Sequence, residues 1–245
     1  MPAEASERAG SQTRALPTAD RAPLYFGIAA LCWAFAAFLA VSAATHADWL
    51  STSDYRVGSW FVDLDAHAHW LKQLTLVWHW GEGPIGSTVF TIVVAVALLA
   101  TRHRGWAGYL ITCAIGGVVI SETVKHLVDR ARPSWPDPLI TEVGGSFPSG
   151  HTMSGIYVWS VVGLIAMYVI SGRVGTGLGW VLVVFGLLAG PSRLFLGVHW
   201  PADVVGGWML ALGWVLIVSA LALIIRDRRS TQGSELAAVS TPTGG

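Results

Sequence analysis

The strongest pattern in the chain is a set of six apolar stretches that contain no Asp, Glu, Lys, Arg or His. Each stretch is 17 to 22 residues long, close to the ~20 apolar residues with which a helix crosses ~30 Å of hydrocarbon. Buried helices of soluble proteins rarely reach this length six times over. The pattern predicts an all-α integral membrane bundle of six transmembrane helices, at 24–45, 83–101, 105–121, 152–172, 174–192 and 204–225.

The two ends of the chain differ from this apolar part. Residues 1–23 are polar and contain three prolines, and residues 230–245 are rich in Ser, Thr, Gly and Ala. We predict one membrane domain over residues 24–226, with disordered cytoplasmic tails at 1–23 and 227–245. A cleaved secretory signal is the alternative for the first stretch, because small residues follow it.

Composition narrows the class of protein further. Apolar residues make up 53% of the chain and charged residues 12%, with a mean hydropathy of +0.56, whereas a soluble domain carries about 25% charged residues. The 15 basic and 15 acidic residues cancel, so no overall field attracts a nucleic acid. Cys32 and Cys113 lie inside apolar stretches, and two cysteines make no disulfide framework. We predict that both are buried thiols.

The positions of Lys and Arg predict the orientation of the bundle. With six spans, both termini share one side, which carries nine of these residues against six on the other side. Three of those six belong to the anion site described below. We therefore expect cytoplasmic termini and a location in the plasma (inner) membrane. The segments 46–82, 122–151 and 193–203 then face outward.

The first outward segment, 46–82, has a pattern of its own. Its large apolar residues recur at helical spacing and predict a short amphipathic helix on the outer leaflet; a loop packed on the helix ends is the alternative. His67 and His69 flank a single alanine, which we do not interpret as a metal-ligand pair. His79 has no evident partner in the sequence. The apolar residues in question are Trp60, Leu64, Leu71, Leu74 and Trp78.

Charged residues cluster in three places on the outward side, and the first is segment 125–133. Lys125 and Arg132 are seven residues apart, which predicts one face of a helix two turns long that Pro133 ends. Two cations placed this way suit an anion with several oxygens. Interfacial snorkelling of both side chains is the alternative for the pair taken alone.

The second and third clusters are 148–151 and 192–203. Ser149 and Gly150 form a turn before a helix start, where free N–H groups favour an anion, and His151 can supply or take a proton there. His199 precedes Asp203 by four residues, so the carboxylate can fix one imidazole nitrogen and free the other. Arg193 adds a third cation. Together the three clusters predict one phosphate-binding site with a nucleophile, an acid and no metal.

These three clusters resemble the signature of the type-2 phosphatidic acid phosphatase superfamily. Its pattern is K-x-x-x-x-x-x-R-P, then P-S-G-H, then S-R-x-x-x-x-x-H-x-x-x-D, and this chain matches every position in order. The resemblance implies that His199 is the nucleophile, Asp203 its orienting partner and His151 the general acid and base. It further implies a phosphate-binding set formed by Lys125, Arg132, Ser149, Gly150 and Arg193.

The implied activity is metal-independent hydrolysis of a lipid phosphate at the outer face, through a phosphohistidine and without a cofactor. Candidate substrates are phosphatidate, phosphatidylglycerophosphate and undecaprenyl pyrophosphate. The expected partners are this lipid and the membrane, and no nucleic acid. A lipid phosphotransferase with the same phosphohistidine is the main alternative. A phosphatase for soluble phosphates, a vanadate haloperoxidase and a catalytically silent membrane protein are weaker ones.

Overall fold

The computed structural model describes residues 15–67, 69–136 and 140–240. Within these ranges the chain is all-α, as predicted, with a short 3-10 turn at Ala19–Arg21 before the first helix. The helix at Gly150–Val169 widens at Gly155–Ser160 into a π-helical turn. The helices are α1 (Ala22–Ala44), α2 (Asp48–His67), α3 (His69–Glu82), α4 (Pro84–Ala100), α5 (Arg104–Val128), α6 (Gly150–Val169), α7 (Gly172–Phe195) and α8 (Pro201–Ser240).

The six predicted spans correspond to α1 and α4–α8. Five of these helices are long and apolar enough to cross a membrane alone. The sixth, α4, has 17 residues, and it joins the end of α3 (Gln73–Glu82) in a bent pair with an angle of 54°. Many apolar side chains on these helices are exposed, as expected for surfaces that face lipid. The prediction of a six-span membrane bundle is confirmed.

The first and last described parts of the chain lie at the end of the bundle opposite the three charged clusters. The Arg226 side chain, on α8, donates a hydrogen bond to the Pro17 carbonyl, as an even number of spans requires. Helix α8 continues to Ser240, although the sequence predicts a disordered tail from residue 227. Arg, Leu and Ala are strong helix formers and extend the helix beyond the apolar stretch. Residues 1–14 and 241–245 of the predicted tails lie outside the described ranges.

Segment 46–82 is more regular than the single short helix predicted, because α2 and α3 together occupy nearly all of it. Trp60 on α2 is 58% exposed, in keeping with an amphipathic surface. Trp78 on α3 instead stacks on Phe185 of α7 at 4.4 Å between ring centroids, and its Nε1 donates to the Phe185 carbonyl. The segment therefore has an exposed part and a part packed on the bundle.

Helix α6 is the central element of the bundle, since it is the most buried of the apolar helices. It packs closely on α7 because glycines face each other: a Cβ on Gly155 or on Gly186 would collide with the backbone of the other residue. Such small-residue contacts let membrane helices approach closely. The helix that carries His151 is thereby packed closely inside the bundle.

Helix α5 ends earlier than the sequence predicts, which changes the relation between Lys125 and Arg132. Asp129 adopts a left-handed backbone conformation with φ 43°, and its N–H donates to the Lys125 carbonyl at 3.0 Å. Asp tolerates this conformation better than most residues. Lys125 is therefore on the last helical turn and Arg132 on a segment without regular secondary structure, so they do not share a helix face as expected.

Candidate active site

The three charged clusters meet at one end of the bundle, which we call the site end. It is formed by the last turns of α3, α5 and α7 and the first turns of α6 and α8. Backbone contacts tie the clusters together: the Ser149 N–H donates to the Asp203 carbonyl at 3.1 Å, and the Ser146 N–H donates to the Arg130 carbonyl at 2.8 Å. Helices that alternate in direction bring these distant parts of the sequence to one end.

His199 and Asp203 form the pair that the sequence predicts. His199 Nδ1 lies 3.4 Å from Asp203 Oδ2, and both side chains are buried. On the other side of the ring, Arg132 Nη1 lies 3.1 Å from His199 Nε2. A guanidinium has only donors, so Nε2 carries the lone pair and Nδ1 carries the proton that faces the carboxylate. This tautomer leaves Nε2 as the nucleophilic atom.

His151 begins α6 and lies across the pocket from His199. It is buried, and its Nδ1 faces the carboxylate of Glu142 at 4.0 Å. Gly150 is the first residue of the helix, and a Cβ there would lie 3.5 Å from Lys125 Nζ. The Ser149 hydroxyl caps the helix instead of facing the pocket: it accepts from the Thr152 hydroxyl at 2.9 Å and from the Thr152 N–H at 3.5 Å.

The three predicted phosphate-binding cations are placed differently. Arg132 and Arg193 reach the centre of the pocket, and Arg193 is completely buried. Lys125 lies at the edge, where its Nζ is 3.5 Å from Glu122 Oε1. Arg132 also holds the backbone of two other segments, because it donates to the Gly144 carbonyl at 3.1 Å and to the Val198 carbonyl, next to His199, at 3.0 Å.

The centre of the pocket contains a carboxylate that the sequence analysis did not single out, that of Glu142. Its Oε2 lies 2.9 Å from Arg132 Nη1 and 3.6 Å from His199 Nε2, and its Oε1 lies 3.7 Å from Arg193 Nη1. Gly144, with φ +81°, allows the turn that follows Glu142. A single glutamate gives no sequence signal for entry into the pocket.

The surroundings of Glu142 keep it ionised. Burial alone would raise the pKa of this carboxyl, but the His199 and His151 imidazoles in their protonated forms, together with Arg132, outweigh burial and hold the pKa well below its usual range. The carboxylate charge therefore persists across the pH range of an enzyme assay. Two oxygens of an anion thus lie among two guanidinium groups and three imidazoles, those of His79, His151 and His199, as two oxygens of a bound phosphate would.

His79 is a second residue that the sequence analysis missed. It stacks on His151 at 5.1 Å between ring centroids, and its Nδ1 accepts from Arg193 Nη1 at 2.6 Å. His79 and Arg193 are 114 positions apart in the sequence. His79 lies between two tryptophans and belongs to no motif. No local pattern therefore indicates the contact.

A cation site is the alternative use of this cluster, since His79, Glu142 and His151 offer three ligand atoms within 4.8 Å of one another. The donor chemistry does not fit a metal ion. Arg193 already uses the lone pair of His79 Nδ1, and its positive charge stands 3.7 Å from the carboxylate oxygen. An ion there would lose one ligand and meet a neighbouring cation. The arrangement favours an anion.

The chain is similar in sequence to known membrane-lipid phosphatases and to one protein family. A sequence model of the PAP2 superfamily matches residues 105–226, which include all three charged clusters. Phosphatidylglycerophosphatase B of Bacillus subtilis is 28% identical over 195 residues, which cover 73% of this chain and 87% of that protein. Decaprenylphosphoryl-5-phosphoribose phosphatase of Mycobacterium tuberculosis is 35% identical over 142 residues, which cover 55% of this chain and 70% of that protein.

A solved structure supports the fold independently. The crystal structure of a transmembrane PAP2-type phosphatidylglycerolphosphate phosphatase from Bacillus subtilis superposes with a TM-score of 0.69. The superposition covers 82% of this chain and 96% of that one at 21% identity. The likeness therefore extends well beyond the three clusters, to the arrangement of the helices that position them.

Proposed function

Because the chain belongs to the PAP2 superfamily, we propose that it hydrolyses a lipid phosphate or pyrophosphate without a metal, through a phosphohistidine on His199. The observation that carries this proposal is the convergence of Arg132, Arg193, His199 and His151 on the single carboxylate of Glu142. Charges and dipoles fixed around an anion provide most of the stabilisation expected in phosphoryl transfer. The two guanidinium groups supply the positive charge that a metal ion supplies elsewhere.

The first half of the reaction forms a bond between His199 Nε2 and phosphorus. The bond between phosphorus and the lipid oxygen breaks, and His151 gives its proton to that leaving oxygen. Asp203, whose Oδ2 lies 3.4 Å from Nδ1, stabilises the positive charge that develops on the ring. In the second half, His151 takes a proton from water, whose oxygen attacks phosphorus. The bond to Nε2 then breaks and inorganic phosphate is released.

The position of the pocket supports a lipid substrate. It lies at the ends of apolar helices, so a phosphate at headgroup depth can enter it while the acyl or prenyl chain stays in the bilayer. We place the site end on the outer face of the plasma membrane, because the segments that the sequence assigns to the opposite side contain nine of the 15 Lys and Arg residues. The relatives named above act on a glycerophospholipid phosphate and on a polyprenyl phosphoribose, and both chemistries are candidates here.

The test is phosphate release by the purified chain in detergent with EDTA present. The substrates are phosphatidate, phosphatidylglycerophosphate and undecaprenyl pyrophosphate, with glucose 6-phosphate as the soluble comparison. We expect turnover of at least one lipid in EDTA, with a kcat/KM well above that for glucose 6-phosphate. The ratio of kcat/KM values among the lipids then identifies the substrate class.

Three outcomes would contradict the proposal: activity that EDTA abolishes and a divalent ion restores, a preference for the soluble phosphate, or no release from any lipid. Adding a lipid alcohol as acceptor separates hydrolysis from transfer. Phosphorylated acceptor formed in place of inorganic phosphate would identify a phosphotransferase.

Glu142 gives a prediction of its own, because its carboxylate and a substrate phosphate compete for the same cations. Replacing Glu142 with Gln removes the competing charge at nearly constant size. We expect KM and the inhibition constant of inorganic phosphate to fall about tenfold, equal to ~1.4 kcal/mol, with kcat within about twofold of the wild type. Steady-state kinetics with and without added phosphate measure both constants.

Glu122→Gln is the matched control, since it removes the same charge from an exposed position beside Lys125. Exposed pairs contribute little, so this variant should change KM less than about twofold. A loss of kcat of more than a hundredfold in Glu142→Gln would show that the carboxylate takes part in the chemistry and does not merely compete.

A further inference from the structure

A chain of buried charged groups extends from His199 away from the pocket. Asp203 accepts from the Trp200 N–H at Oδ2 (2.8 Å) and from Arg130 Nη1 at Oδ1 (2.7 Å). Arg130 Nη2 donates to Asp54 Oδ2 at 2.5 Å, and Asp54 Oδ1 accepts from the Ala202 N–H at 2.9 Å. One guanidinium thus bridges the orienting carboxylate and a second carboxylate on α2.

Arg130 is not placed to bind the substrate. Both of its Nη atoms are engaged by carboxylates, and its guanidinium carbon lies 5.7 Å from the centre of the Trp200 ring. Burial would lower the pKa of Arg130, but Asp203 and Asp54 outweigh burial and raise it. Arg130 therefore stays positively charged across the pH range of an assay, and this charge acts on the Asp203 carboxylate.

Asp54 makes two contacts with parts of the chain outside α2. It pairs with Arg130, and it caps the first turn of α8, in which Ala202 and Asp203 are neighbours. Its side chain is nearly completely buried. Removing one partner of such a buried ion pair leaves the other charge uncompensated, which strongly destabilises the fold. Helix α2, outside all three charged clusters, thus reaches the helix start that presents His199 and Asp203.

We propose that Arg130 and Asp54 are positioning residues that fix the orientation of Asp203 and tune its negative charge, and thereby set the basicity of His199. The proposal rests on the proposed role of His199 as nucleophile. A full negative charge on Asp203 would favour the imidazolium, which cannot attack phosphorus. Arg130 offsets part of that charge, and Asp54 offsets part of the charge of Arg130. The pair therefore orients Asp203 and moderates the negative charge that it presents to His199.

The test is the pH dependence of kcat/KM, whose acid limb reports the protonation of His199 in the free enzyme. Arg130→Gln removes a positive charge near Asp203, so the acid limb should move up by about 0.5–1 pH unit. Asp54→Asn leaves Arg130 unopposed, so the limb should move down by a similar amount. Asn can still accept from the Ala202 N–H. Arg130→Lys keeps the charge without the bridging geometry, so we expect a lower kcat with the limb unmoved.

The other charged and titratable groups around His199 are the same in the wild type and in all three variants. They therefore cannot move the acid limb in opposite directions. Arg132 and Glu142 face Nε2. His151 from α6, Arg193 from α7 and His79 from α3 surround the same pocket around Glu142. The lowered pKa of Glu142 and the raised pKa of Arg130 mean that neither group changes its protonation within the pH range of the kcat/KM profile.

Asp48→Asn and Arg56→Gln are the matched controls, because they remove the same charges from exposed positions on α2. They should leave the profile unchanged. Shifts of equal sign in Arg130→Gln and Asp54→Asn, or unmoved limbs in both, would overturn the proposal, since a purely structural role lowers activity without opposite shifts. If Arg130→Gln does not fold, Asp54→Asn and Arg130→Lys still decide. An inactive wild type would instead contradict the proposed function.

Discussion

Alanine in place of His199 is expected to lower phosphate release from every lipid substrate by at least about a thousandfold. The variant lacks the atom that bonds to phosphorus, and losing a nucleophile in a concerted group of residues removes most of the catalysis that the group provides. Substrate binding should change much less, because Arg132, Arg193 and Lys125 remain. The measurement is single-turnover phosphate release beside equilibrium binding of inorganic phosphate.

His126→Ala is the control for this variant. His126 is one residue from Lys125 at the end of α5 but exposed, so its loss should leave kcat/KM within about twofold. Residual activity of a tenth or more in His199→Ala would show that water attacks phosphorus directly, with the imidazole in a lesser role.

Replacement of His151 with Asn has the second largest expected effect, and the effect depends on the leaving group. With a lipid monophosphate, the departing alkoxide needs a proton, so kcat should fall 10²- to 10⁴-fold. With p-nitrophenyl phosphate, the leaving group departs unprotonated. The variant should then release a burst of about one nitrophenol per chain, followed by slow turnover, because no base activates water against the phosphohistidine. Stopped-flow absorbance measures the burst.

The nitrophenol burst distinguishes the roles of the two histidines, because His199→Ala should show no burst with p-nitrophenyl phosphate. Equal activity of His151→Asn and the wild type on a lipid monophosphate would contradict the assignment of His151 as the acid. A burst that is missing in both variants would mean that His151 is needed to form the intermediate even with a good leaving group.

Much of this molecule could be predicted from local sequence patterns. The six spans depend on runs of apolar residues, and the convergence of the three clusters follows from the even alternation of spans. The His199–Asp203 contact depends on residues four apart on one chain segment. Such features need no knowledge of tertiary packing, and the structure brings these residues together as the spacing predicts.

The features that the sequence did not reveal depend on contacts between distant residues or on backbone geometry. Asp54 and Ala202 are 148 positions apart, and neither Arg130 nor Asp54 differs in its surroundings from an ordinary interfacial charge. Glu142 enters the pocket through a turn at Gly144. The left-handed Asp129 ends α5 before Arg132, and the Ser149 hydroxyl turns into its own helix cap. Periodicity and motif spacing carry no information on any of these.

The most direct test of the account is chemical capture of the phosphohistidine. The His151→Asn variant is mixed in EDTA with p-nitrophenyl phosphate labelled with ³²P, quenched in alkali, and digested for peptide mapping. The account predicts about one label per chain, on Nε2 of His199, and none in the His151→Asn/His199→Ala double variant. A label on another residue, or no label while nitrophenol is released, would contradict a mechanism through His199.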